Sequence, residues 1–139
     1  MKRIVMLAAI LAVIPTALAA YSSEADEVIS LELAEACGGA GGTIDPGMAM
    51  ERDLTGDGSP DLLVSHEGIS CSGPSSRSSF CGAQLCAVNI YVRRGPAFDI
   101  AAEMLGLAVS VGEGSVPTVR MYGLGGRPVE LRWDGQGFR

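Results

Sequence analysis

Cys86-Ala87-Val88-Asn89-Ile90-Tyr91-Val92-Arg93 is the stretch that decides the fold class. Val88, Ile90 and Val92 alternate with Asn89, Tyr91 and Arg93, the period of two that sends successive side chains to opposite faces of an extended chain. A strand so built has one dry face and one wet face. The same reading outward gives strands over about 47–52, 61–66, 107–111, 118–122 and 129–133. In the last of these Val129, Leu131 and Trp133 oppose Glu130 and Arg132. The connections are short, which favours antiparallel pairing, because parallel neighbours need a long crossover. Only Phe98 to Leu105 offers even a short helix between strands.

One helix precedes the strands. In Ser22-Ser23-Glu24-Ala25-Asp26, a serine followed three positions on by an acid can satisfy the free N–H groups of a first turn, and Ser23 is the expected cap. Ala25, Ile29, Leu33, Ala36 and Cys37 recur at helical spacing on one side, with Glu24, Glu27 and Glu35 opposite. Gly38-Gly39 closes the helix, since glycine takes the left-handed conformation required there, and Gly41-Gly42 reads as a mobile joint. The apolar stripe needs a sheet to pack on. The expected fold is therefore α+β, one N-terminal amphipathic helix laid on an antiparallel sheet of about 5–6 short strands and stapled by disulfides.

The chain opens MKRIVMLAAILAVIPTALAA, with Lys2 and Arg3 at its positive end, an apolar run from Ile4 to Ile14, a break at Pro15 and small-x-small at Ala17-Leu18-Ala19. These are the parts of a secretory signal in order. The apolar run is about half the roughly 20 residues needed to span a bilayer, so cleavage near Ala19 or Ala20 is expected rather than an anchor. Residues 1–20 are then a signal, residues 21–139 a single domain, and no later stretch reads as a membrane span. Loss of Lys2 and Arg3 takes the formal charge from −6 to −8 and leaves no lysine. Without a basic face, nucleic acid is excluded as a partner class.

Outside the cytoplasm Cys37, Cys71, Cys81 and Cys86 are an even set in a compartment that permits disulfides. Their spacing suits neither a zinc site nor a two-residue redox pair. Three pairings are open, among them a tight Cys81–Cys86 ring that leaves Cys37 for Cys71. Ser72 to Ser79 reads as a polar insertion, mobile except where bridged. Leu124 to Pro128 reads as a turn, and Trp133 to Phe138 as a terminal hairpin packed on the core.

One constellation carries chemistry. Asp53-Leu54-Thr55-Gly56-Asp57-Gly58-Ser59-Pro60-Asp61 puts oxygen-bearing side chains at alternate positions, with a glycine where the loop must bend sharply. Calcium takes several oxygens from such a loop. Asp53, Asp57 and Asp61 would supply carboxylates, Thr55 its hydroxyl or a water contact, and Ser59 its carbonyl. Gly-Asp-Gly is also ordinary hairpin chemistry, but three carboxylates crowded together repel without a cation, which favours the ion. Val64 stands where a helix-loop-helix sensor would carry glutamate, which excludes that class.

The loop, followed by Leu62-Leu63-Val64, resembles the Asp-x-(Asp/Asn)-x-Asp-Gly-x-x-Asp loops of FG-GAP and VCBS-type repeats. The resemblance implies calcium at Asp53, Thr55, Asp57, Ser59 and Asp61, with Thr55 replacing the usual acid or amide. It covers one loop without repetition, so a propeller is not implied. The order of signal, cysteine-ended helix, calcium-type loop, Cys81-Gly82-x-x-x-Cys86 and closing Arg132-Trp133-Asp134-Gly135 is similar to a group of small exported proteins of Gram-negative bacteria, a likeness that implies no activity.

No residue is singled out as catalytic. His66 is the only histidine, with Glu67 beside it on the opposite strand face, and it reads as a strand residue near solvent. Glu103, Glu113 and Glu130 have no spacing that selects a pair. The expected function is an exported binding or structural module, periplasmic or secreted, with a structural calcium loop and an envelope or extracellular protein or polymer as partner. The alternatives are a small hydrolase of envelope polymers and an inhibitor of such an enzyme.

Overall fold

The computed structural model describes residues 21–139; the secretion signal read over residues 1–20 lies outside the described residues. Helix α1 (Ser23–Ala36) is followed by β1 (Gly42–Ile44), β2 (Ala49–Arg52), β3 (Asp61–Ser65), β4 (Ile69–Cys71), β5 (Cys86–Arg94), β6 (Ala97–Val111), β7 (Val119–Tyr122) and β8 (Pro128–Leu131). The larger sheet runs β2-β3-β5-β6-β7-β8, and β1 pairs with β4 in a second, two-stranded sheet. Every pair is antiparallel. This is the α+β arrangement that the alternation in β5 and the stripe of α1 predict. Among the described residues no helix is long and apolar enough to cross a membrane.

The larger sheet curls on itself. Met50 of β2 and Val129 and Leu131 of β8, at its two ends, share one core with Leu54, Leu63, Val88, Ile90, Val119 and Met121. Helix α1 packs on the outer face, where Ala25 and Ile29 meet Ala49, Leu62, Val64 and Tyr91. β3 is therefore covered on both sides, and all five of its residues are buried.

Several details depart from the sequence reading. Ser22, not Ser23, caps α1: its Oγ accepts from Ala25 N at 3.2 Å. Glu51 of β2 decides the choice, accepting from Ser22 N at 2.8 Å and from Ser22 Oγ at 2.5 Å, so sheet and helix entry are fixed together. Residues 98–105 are strand, not helix; β6 is one long strand that pairs first with β5 and then with β7. Its pairing is irregular between Leu107 and Ser110, where Ala108 takes a positive φ of 52° and gives its N–H to Glu67 Oε2 at 2.7 Å. A non-glycine residue in that region is uncommon, and the bend it makes turns β6 from one partner to the next. The joint at Gly41-Gly42 is tight, because Gly42 opens β1 and a Cβ there would lie 2.7 Å from Ser70 O and 2.8 Å from Cys37 Sγ.

The helix end follows expectation. Gly39 N donates to Ala34 O at 3.0 Å and Gly38 N to Glu35 O at 3.4 Å, the paired bonds of a glycine-closed C-terminus. Of the three cysteine pairings open from sequence, the structure has Cys37–Cys71 and Cys81–Cys86. The second closes a short ring, so the chain-entropy account assigns it a modest share of stability. Replacing Cys81 and Cys86 together by alanine should lower the unfolding free energy by about 2 kcal/mol, measurable by urea titration. At the C-terminus Trp133 pairs with Phe138, their rings 5.2 Å apart, and Phe138 reaches the core as the hairpin reading expects.

Candidate functional site

The Asp53–Asp61 loop joins β2 to β3, and its aspartates are held chiefly by backbone N–H groups. Asp53 Oδ1 accepts from Thr55 N at 3.1 Å and Gly56 N at 2.7 Å, and its Oδ2 from Gly58 N at 2.8 Å. Burial alone would raise the Asp53 pKa; the amides of Gly58, Gly56, Thr55 and Asp57 outweigh it and hold the carboxyl below its ordinary value. Asp61 is fully buried: Oδ2 accepts from Leu54 N at 2.8 Å and Thr55 N at 3.1 Å, and Oδ1 from Arg93 N at 3.0 Å. Asp57 is exposed and accepts from Ser59 N at 2.8 Å.

The carboxylates thus have distinct posts. Asp53 curls the loop, Asp61 locks its base to β5 through the Arg93 amide, and Asp57 faces solvent. Among the described residues, no three His, Cys, Asp or Glu side chains are gathered as a metal-holding group. The loop's remaining donors are neutral oxygens. Of these, Thr55 Oγ1 is buried without a hydrogen-bond partner. Buried hydroxyls are rarely left unpaired, and this one occupies the third loop position. Hard oxygen donors and an orphaned hydroxyl suit a calcium ion in chemical type.

A second constellation lies under α1, where the sequence reading placed nothing. His66 is not a strand residue near solvent: it opens a 3-10 turn over His66–Gly68 and is 1 % exposed. Its Nε2 lies 2.7 Å from Glu32 Oε2 and its Nδ1 2.7 Å from Ser78 Oγ. A carboxylate only accepts, so Nε2 carries the proton that Glu32 receives. In the neutral ring Nδ1 then accepts from the Ser78 hydroxyl, whose oxygen in turn accepts from Phe80 N at 3.1 Å. Glu32 Oε1 takes Asn89 Nδ2 at 2.7 Å and the Tyr91 hydroxyl. Burial pushes the Glu32 pKa up, but the bonds from His66, Tyr91 and Asn89 prevail and hold it below its ordinary 4.5. Tyr91 is pushed well up by burial and by its bond to Glu32, with the charges of Glu32, Glu103 and Glu35 adding to the effect.

Serine, histidine and glutamate in a row suggest a nucleophile relay, but the geometry is that of a clamp. In the hydrolase relay the acid sits on Nδ1 and the serine on Nε2; here the two are exchanged. Ser78 is 3 % exposed and does not line the adjoining pocket. What the row does is tie α1, the 3-10 turn and the Cys71–Cys81 segment to one another. At the end of that segment Ser79 N also donates to Ala36 O at 2.9 Å, and within it Cys71 N donates to Ser76 O at 2.9 Å.

Beside the clamp is a pocket of about 360 Å³, lined by Glu32, Glu35, His66, Tyr91, Glu103 and Leu105 among others. Glu103 lies opposite Asn89 in the β5–β6 register, which places it next to the Glu32 network. The sequence held one signal for Glu32: it stands three residues after Ile29 and four before Ala36, on the buried stripe of α1. Nothing local marks Ser78 among its neighbouring serines. Comparison with protein families, with curated proteins and with solved structures finds no match to this chain.

Proposed function

We propose that the chain is an exported binding module, acting in the periplasm or outside the cell, whose Asp53–Asp61 loop is braced by calcium. The observation that carries the calcium reading is the buried, unpartnered Thr55 Oγ1 in a loop of oxygen donors. Asp53, Thr55, Asp57, Ser59 and Asp61 would hold the ion, which when bound supplies positive charge to the loop's carboxylates. The two disulfides suit an oxidising compartment.

Binding is favoured over turnover by the state of the groups around His66. Glu32 lines the pocket with both oxygens already engaged, and Ser78 is buried behind the ring, so the carboxylate has no oxygen and the serine no exposure to offer a substrate.

Calorimetric unfolding of residues 21–139 tests the calcium reading. A ligand at a hundredfold excess over its dissociation constant stabilises by about 2.7 kcal/mol, so millimolar calcium should raise Tm and a chelator should reverse the rise. Asp57→Ala, at an exposed position, should fold in chelator like the parent chain and lose the calcium increment. The same Tm in calcium and in chelator would remove the reading.

A further inference from the structure

Helix α1 covers only part of the outer face of the larger sheet. Beyond it, β6 and β7 leave Leu105 61 %, Leu107 36 % and Tyr122 49 % exposed, with Phe80 beside them at 46 %. These side chains share one face: Leu105 lies opposite Ala87, and Leu107 opposite Tyr122. A second depression, also about 360 Å³ and lined by Leu85, Leu107 and Tyr122, continues along β6 from the acidic pocket at Leu105. Exposed apolar surface that is contiguous in this way marks interaction sites.

The acidic end determines what kind of partner fits. Glu35 and Glu103 are exposed, line the first pocket and make no ion pair among the described residues. No arginine lines either depression, and residues 21–139 contain no lysine. The strip is therefore apolar along β6 and uncompensated negative at one end. We propose that it docks an extended segment of a partner protein in which a basic side chain precedes apolar ones at alternate positions. The cationic tip reaches Glu35 and Glu103, its aliphatic stem lies on Phe80 and Leu105, and the next apolar side chain on the same face meets Leu107 and Tyr122. Leu105 and Leu107 repeat along the strand at about 6.6 to 6.8 Å, the interval between like-facing side chains of an extended peptide. Charged stems commonly cover apolar surface in this manner.

The inference rests on the binding-module reading but not on calcium, and the experiment separates the two. A short fluorescent peptide of alternating arginine and leucine is titrated against residues 21–139 by anisotropy, in calcium and in chelator, with an acidic-leucine peptide as control. Saturable binding is expected for the basic peptide alone, weakened by added salt because exposed charges carry part of it. Glu35→Gln/Glu103→Gln, at exposed positions that should leave the fold intact, is expected to weaken it by about tenfold or more. Leu105→Ser/Leu107→Ser should weaken it comparably, and Glu113→Gln should leave it unchanged. Equal binding by the Glu35→Gln/Glu103→Gln variant would overturn the proposal, as would binding of both peptides alike. A dimer by sedimentation that those leucine substitutions dissolve would also overturn it, since the occupant is then a second copy of this chain. Loss of the calcium-dependent Tm rise with peptide binding intact would remove the calcium reading alone.

Discussion

Glu32→Ala should lower the unfolding free energy by about 3–5 kcal/mol and Tm by on the order of 10 °C or more. The substitution leaves His66 Nε2–H, Asn89 Nδ2 and the Tyr91 hydroxyl without the carboxylate that now accepts from them. The buried His66 Nε2–H, stripped of its acceptor, retains its full desolvation penalty, and the part-buried Asn89 and Tyr91 donors add to it, which is why the loss exceeds the net value of one hydrogen bond. Glu35→Ala, one turn along α1 and exposed, is the control and should change stability by no more than about 0.5 kcal/mol. The effect also has a pH signature. A carboxyl whose folded pKa lies below its unfolded value contributes stability that is complete above the unfolded pKa and disappears as pH falls through the folded one. Because Glu32 is held below 4.5, its own contribution to the gap between parent and Glu32→Ala should be complete above that value and shrink as pH falls below it. Urea titrations at several pH values would measure it; a gap that widens in acid would contradict the assignment of the lowered pKa.

Asp61→Ala should be comparably damaging, at about 3–5 kcal/mol, and should be so in chelator as well as in calcium. Its carboxylate receives the N–H groups of Leu54, Thr55 and Arg93 and is sealed from solvent. Hydrogen bonds to an ionised acceptor are each worth roughly twice a neutral one, though three that share one carboxylate do not add in full. Asp61→Asn keeps the size but turns an amide N–H₂ toward at least one backbone donor, so it should recover less than half of the loss. Because Asp57→Ala should act only when calcium is present, the pair separates the loop's fold-bearing carboxylate from one that serves an ion. If Asp61→Ala were silent in chelator, the buried carboxylate would not be the lock between loop and β5.

These two carboxylates show how unevenly the candidate site was legible. Asp61 could be found because its loop repeats oxygen donors at a recognisable interval, but its burial and its reach to the Arg93 amide could not, since Arg93 is far along the chain and adjacent only through the β3–β5 pairing. Glu32 carried a weaker signal, an acid on an apolar stripe, and its partners come from the 3-10 turn and from β5, segments that share no local pattern with α1. His66 was read as near solvent because the strand was extended one residue too far. The 3-10 turn that begins at His66 instead directs its ring inward to Glu32 and Ser78.

By itself the sequence determined the helix, the alternating strands and hence the antiparallel α+β class, because periodicity and glycine closure are properties of neighbouring residues. It also marked the Asp53–Asp61 loop, where oxygen-bearing side chains recur at alternate positions. The tertiary structure alone decided the cysteine pairing, the long bent β6, the Glu32–His66–Ser78 clamp and the acidic pocket that opens onto an uncovered apolar strip. Each of these depends on which distant segments the curled sheet brings into contact, and side-chain spacing along the chain carries no information about that.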